Sequence, residues 1–241
     1  ASLEEEGRHR IDGREFVRRV LVLDLPLEAG YHRLAIDCGN GLAGEMPLIC
    51  VPHACYTPPA IQGQRRTWGF AAQLYGVRSA RNWGMGDFSD LRALVDLCAD
   101  AGAGTVLLNP LHALFPDVPE HASPYSPSSR AWFNTLYLDV EAIADFAECD
   151  AAREKVATAE FQEWLCKLRN AAQGDYPGSA AAKRDLLEQL YRHFRSNHLE
   201  ASSQRAAEFR AFQDAHGDGL RRLAEFEALQ AHFHAHDGSA W

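Results

Sequence analysis

One stretch, from Trp68 to Phe146, constrains the fold of this chain more than any other. It runs from a short apolar segment, Trp68-Gly69-Phe70-Ala71-Ala72-Gln73-Leu74, through a helical pattern to a second apolar segment, Thr105-Val106-Leu107-Leu108. Apolar run, amphipathic helix and apolar run in that order make a βαβ unit, with parallel strands and a right-handed crossover. Asp87 can accept a backbone N–H in the first helical turn. Phe88, Leu91, Leu94, Val95 and Cys98 follow at three- and four-residue steps and share a face. Gly102 and Gly104 end the helix, glycine tolerating the left-handed geometry of a C-cap. Asn109, His112 and the loop after them then lie at a strand's carboxyl end, where barrels and open α/β sheets bind ligands.

Four pieces of this stretch resemble the start of the catalytic barrel in 4-α-glucanotransferases, glycoside hydrolase family 77. They are Gln73-Leu74-Tyr75, Arg81-Asn82-Trp83-Gly84-Met85-Gly86-Asp87-Phe88, Asn109-Pro110-Leu111-His112-Ala113-Leu114 and Ser123-Pro124-Tyr125-Ser126-Pro127-Ser128-Ser129-Arg130. Their order within one βαβ unit makes the resemblance specific. It implies an α/β fold, the start of a (β/α)8 TIM barrel. The implied activity is transfer of α-1,4-glucan segments between maltooligosaccharides by retaining double displacement, with two carboxyl groups about 5 Å apart and no cofactor or metal. No stretch here matches the family's catalytic carboxylate motifs. The chain is therefore expected to be an N-terminal fragment of a larger bacterial-type member, with no catalytic residue of its own and no activity alone.

Candidate substrate-binding residues are Tyr125, Ser123, Asn134, Asn109 and His112. Tyr125 can stack on a sugar face while its hydroxyl hydrogen-bonds, or anchor its loop. Ser123 and Asn134 can bond sugar hydroxyls, or serve as turn and cap residues. Asn109 and His112 can line the cleft or satisfy loop backbone groups, with lining the favoured role; the resemblance favours stacking for Tyr125, and both roles stay open for Ser123 and Asn134. Asp87 is explained by capping. Asp139, after the extended run Asn134 to Leu138, is the best internal carboxylate but has no visible partner. Gly84-Met85-Gly86 lacks the third glycine and the Lys-Ser/Thr of a phosphate loop and reads as a tight turn. His232, His234 and His236 read as a solvated face rather than a zinc site. Arg78, Arg81, Glu4, Glu5 and Glu6 read as surface charges.

The net charge of −9 argues against nucleic acid or an anionic membrane as partner. The six cysteines show no metal or disulfide spacing, so packed thiols and a cytoplasmic location follow. There is no apolar run of membrane-spanning length, and Leu3-Glu4-Glu5-Glu6 is unlike a signal peptide.

Three domains are expected over the 241 residues. Residues 1–60 form a partial β-sandwich-like module, with strands at Arg19 to Leu25, Gly30 to Cys38 and Leu48 to Val51. Gly39-Asn40-Gly41 provides a turn, and Pro58 to Gly63 a linker. Residues 61–148 hold the first βαβ part of the barrel and the substrate loop. Residues 149–241 form a helical subdomain, with helices at about 150 to 170, from Pro177 to Phe194, from Ser203 to a stop at Gly217, and from Asp218 to Gly238. The alternative function is a non-catalytic carbohydrate-binding or interaction protein derived from that fold. An unrelated α/β hydrolase would need a Gly-x-Ser-x-Gly elbow, which the sequence lacks.

Overall fold

A computed structural model describes residues 3–22, 26–37, 39, 41 and 43–238. Leu23, Asp24, Leu25, Cys38 and Asn40, read above as strand or turn residues, lie outside the described residues, as do Ser239, Ala240 and Trp241. The chain divides into two units, Ala1–Arg65 and Arg66–Trp241.

The first unit is built of antiparallel hairpins. Strand β1 (Leu3–Ile11) pairs with β2 (Arg14–Leu21), and β3 (Gly30–Asp37) with β4 (Ala43–Cys50). Asp12 and Gly13 turn the first hairpin at positive φ, 49° and 78°, the conformation of a two-residue hairpin loop. Pairing here is more extensive than the apolar pattern indicates. Strand β1 is mostly charged and reads as surface, yet it pairs along its length, with ion pairs such as Arg18–Glu6 across the hairpin. Strand β4 begins five residues before Leu48.

The second unit contains the βαβ element. Strands β5 (Gly69–Ala72) and β6 (Thr105–Leu108) are parallel, joined by helix α1 (Phe88–Asp100). Asp87 caps α1: its side chain accepts from the amides of Ser89 and Asp90, and Asp90 reciprocates to the Asp87 amide. The first strand stops at Ala72, two residues short of the run read from the sequence, and Leu74–Gly76 winds into a 3₁₀ turn that buries Leu74. Strand β7 (His112–Ala113) then pairs antiparallel with β8 (Ser129–Phe133), closing the intervening loop at its base.

The run from Asn134, read as extended, is not a strand. It forms 3₁₀ turns at Thr135–Tyr137 and Val140–Ala142, the first capped by Asn134, whose Oδ1 accepts from the Leu136 amide at 2.9 Å. A local side-chain bond has overridden the apolar pattern.

Helices α2 (Ala144–Glu148), α3 (Asp150–Ala157), α4 (Ala159–Asn170), α5 (Tyr176–Phe194) and α6 (Gln204–His236) follow. The single helix expected over 150 to 170 is broken at Thr158, whose hydroxyl accepts from the Phe161 amide and caps α4. Pro177 lies in the first turn of α5, where its missing N–H costs little. Gly217 interrupts α6 with φ 45°, ψ −128°. Leu165, Leu168, Leu186 and Leu190 pack with Trp83 and Val140 in one core. Each such buried leucine stabilises the fold by about 1.5–3 kcal/mol. Tyr191, which follows Leu190 in the apolar part of α5, is 51% exposed.

Candidate carbohydrate site at the strand ends

The carboxyl ends of β5 and β6 are tied together by Asn109. Its Oδ1 accepts from the Leu74 amide at 2.8 Å, and its Nδ2 donates to the Pro110 carbonyl at 2.7 Å and to the Tyr137 hydroxyl at 3.0 Å. The side chain is 8% exposed and takes the backbone-satisfying role of the two open to it. Burial pushes the Tyr137 hydroxyl above its ordinary pKa, against the opposing pull of Asn109. Asn134 is buried and commits its carbonyl oxygen to the cap.

The loop between β7 and β8 carries the remaining candidates. Ser128 Oγ donates to the carbonyls of Ala113 and Leu114 at its base. The Ser126 amide donates to the Ser123 carbonyl at 3.1 Å, closing a turn that contains Tyr125. Tyr125 is 71% exposed, so its ring is presented to solvent and is not a packed loop anchor. Ser123 is exposed, and His112 is half-buried on β7.

A cavity of about 220 Å³ opens between this loop, α5 and α6, lined in part by Phe115, Phe133, Asn134, Leu136, Lys183 and Glu227. Of the five candidates only Asn134 lines it, so the structure does not gather all five around one cavity. Burial raises the Glu227 pKa, reinforced by the nearby Asp117.

Two residues that matter here are not among the five candidates. Arg81, read as a surface charge, grips three carboxylates: Asp87 at 2.5 Å, Asp90 at 3.0 Å and Asp139 at 2.7 Å. Hydrogen bonding to Asp87 leads in raising its pKa, against desolvation. Asp139 also accepts from Ser89 Oγ at 2.6 Å, which removes it from consideration as a free catalytic carboxylate. Lys183 is 2% exposed and donates to the carbonyls of Leu136 and Leu138. A signal for it was present: Ser179, Lys183, Leu186 and Leu190 recur at helical spacing on the apolar face of α5.

Among the described residues, Asp145, Glu148 and His198 bring possible metal-ligand atoms within 4.8 Å of one another. Arg205 already supplies the positive charge there, bonding both Asp145 and Glu148. At the other histidine cluster, His236 Nδ1 donates to the His232 carbonyl at 2.7 Å, an intrahelical contact. No described helix is long and apolar enough to cross a membrane.

Comparison with known proteins bears on the same residues. Residues 72–241 match the family described as 4-alpha-glucanotransferase, glycoside hydrolase 77, and residues 1–52 match the MalQ N-terminal beta sandwich domain. A 4-alpha-glucanotransferase of Haemophilus influenzae is 36% identical over 216 residues, which are 89% of this chain and 30% of that protein. One from Mycobacterium tuberculosis is 35% identical over 239 residues, 96% of this chain and 31% of that protein. Amylomaltase from Corynebacterium glutamicum superposes with a TM-score of 0.67 at 29% identity, over 91% of this chain and 31% of that one. The chain thus spans just under a third of the length of these two relatives.

Proposed function

We propose that this chain, which belongs to glycoside hydrolase family 77, the 4-alpha-glucanotransferases, contributes part of the sugar-binding side of an enzyme that transfers α-1,4-glucan segments between maltooligosaccharides. The observation that carries the reading is the family match over residues 72–241, within which an exposed Tyr125 stands on a turn beyond a strand end. The βαβ element is the first part of a (β/α)8 barrel on this reading, with residues 1–60, 61–148 and 149–241 as module, barrel segment and helical subdomain. The substrate is uncharged, in keeping with an acidic chain, and the five free thiols among the described residues fit a reducing cytoplasm.

Retaining transfer requires a carboxylate nucleophile and a carboxylic acid facing each other across the scissile bond. Asp87, Asp90 and Asp139 are committed to Arg81, and no stretch of this chain resembles the family's catalytic carboxylate motifs, so the reading assigns both catalytic groups to residues outside this chain. What this chain supplies is binding: Tyr125 stacks on a glucose ring, Ser123 and His112 offer hydrogen bonds to sugar hydroxyls, and Asn109 and Asn134 hold backbone at the base of the loop.

The test is glucose release from maltotriose, run on the product of the whole reading frame and on these 241 residues alone. The whole product is expected to turn over and the 241 residues are not. An inactive whole product would leave the carbohydrate-binding alternative in place, and turnover by the short chain at a comparable rate would overturn the placement of the chemistry. In the whole protein, Tyr125→Ala is expected to weaken transfer by about 1–3 kcal/mol, through lost stacking and apolar burial. Unchanged kinetics in a folded variant would remove the stacking role.

A further inference from the structure

Lys183 reaches the strand-end segment from α5, and its ammonium donates to Leu136 O at 2.5 Å and to Leu138 O at 2.7 Å. Those two carbonyls flank Tyr137, whose hydroxyl is bonded to Asn109. Asn134 precedes them, with its amide on the Leu111 carbonyl, and Asp139 follows, bonded to Arg81 and Ser89. Leu111 and Asn134 directly adjoin the β7–β8 pairing that closes the base of the Tyr125 loop. One buried cation therefore holds the turn on which that loop base rests.

Burying an ammonium is costly, and a methionine of similar shape would pack there with less desolvation. What the lysine adds is two charge-assisted hydrogen bonds to the carbonyls on either side of Tyr137. We propose that Lys183 is a positioning residue for glucan binding, fixing the Asn134 to Asp139 segment, and with it the Tyr125 loop, in the geometry that the sugar requires. The proposal rests on the transferase reading.

Charged groups face Lys183 from several elements. Asp87 and Asp90 lie at the start of α1, Asp139 follows the 3₁₀ turn, and Arg81 stands between the carboxylates. On α5 itself Arg184 is paired with Asp117 and Glu188 with Arg192, and Glu227 of α6 lines the same cavity. Desolvation dominates and brings the Lys183 pKa down to about 8, although the three aspartates oppose it.

The experiment uses the product of the whole reading frame, with maltotriose as substrate. Lys183→Met is expected to raise KM about fivefold with kcat changed by less than about twofold, the signature of lost binding uniform between ground and transition states. Circular dichroism at the assay temperature establishes that the variant is folded. An unchanged KM in a folded Lys183→Met protein overturns the proposal, because a merely structural lysine would lower the melting temperature and leave KM alone. Where Lys183→Met does not fold, the wild type decides. Its KM is expected to rise two- to threefold, roughly, between about pH 7 and pH 9.5, as the ammonium loses the charge that strengthens its bonds. That rise is expected to be lost in Lys183→Arg, whose guanidinium does not titrate. A wild-type KM that is flat over this range overturns the proposal. An inactive wild type counts against the transferase reading instead, so the two failures are distinguishable.

Discussion

Arg81→Leu is expected to destabilise the second unit by about 3 kcal/mol at pH 7, and by much less near pH 4. The side chains of Asp87, Asp90 and Asp139 are 3%, 6% and 12% exposed, and each lies within an ion-pair distance of the same guanidinium. Removing the guanidinium leaves three carboxylates packed together with little water to screen them. Loss of one partner from a fully buried pair costs about 3–5 kcal/mol. Arg81 is 40% exposed, so solvent softens the loss and the lower end applies.

The pH dependence follows from the direction of the Asp90 shift. Desolvation works to raise its pKa, but bonds from Asn82, Ser79 and the Asp87 amide, with the field of Arg81, lower it below the ordinary 3.8. A carboxyl depressed in the folded state contributes stability above its unfolded pKa and loses it as pH falls through the folded one. The wild type therefore keeps the contribution at neutral pH and gives it up only in acid below about pH 4. Without Arg81 the Asp90 carboxyl loses one of the groups that hold its pKa down, and its protonation in acid relieves the repulsion among the carboxylates. Urea unfolding of both proteins at pH 7 and pH 4 measures this. A difference that stays constant between the two would show that Arg81 acts through packing alone.

The sequence carried the βαβ unit clearly, because strand, cap, amphipathic face and glycine stop all pointed the same way at Gly69 to Leu108. It carried Arg81 poorly. Its partner Asp139 lies 58 positions further along the chain, and no local period reports a pair at that separation. The β1–β2 hairpin was hidden for another reason. Its Asp12-Gly13 turn is a strong local signal, but the charged residues of β1 mask a strand whose stability comes from pairing rather than burial. In the 134–140 segment the apolar pattern was real and the conformation read from it was not, since the Asn134 cap selects 3₁₀ turns over extension. The candidate site residues divide in a similar way. Tyr125 is exposed, as the proposed stacking role requires, whereas Asn109 and Asn134 bond backbone amides with their side-chain oxygens. Residue type alone does not distinguish those uses.

Gly84→Ala is expected to cost about 2–4 kcal/mol, from two separable causes. Gly84 has φ +85°, a conformation any side chain disfavours, at about 1 kcal/mol. A Cβ there would also stand 2.7 Å from Leu168 Cβ and 3.1 Å from Ser179 Oγ. Neither neighbour is free to withdraw. Leu168 is 2% exposed in the core, and Ser179 is buried and donates to the Trp83 carbonyl at 3.0 Å. Arg169 closes the same contact from α4, donating to the Asn82 carbonyl at 2.7 Å. The 82–84 turn is thus clasped by α4 and α5, and overpacking it costs a further 1–3 kcal/mol or so. Gly102 separates the two causes. It has φ +78°, and a methyl group at its Cα would meet nothing within 4 Å, so Gly102→Ala carries the backbone cost alone. Thermal or urea unfolding of the pair should show Gly84→Ala the more destabilised by at least about 1 kcal/mol. Equal losses would mean that the helices yield to a methyl at the turn, and that their grip on it is looser than these contacts require.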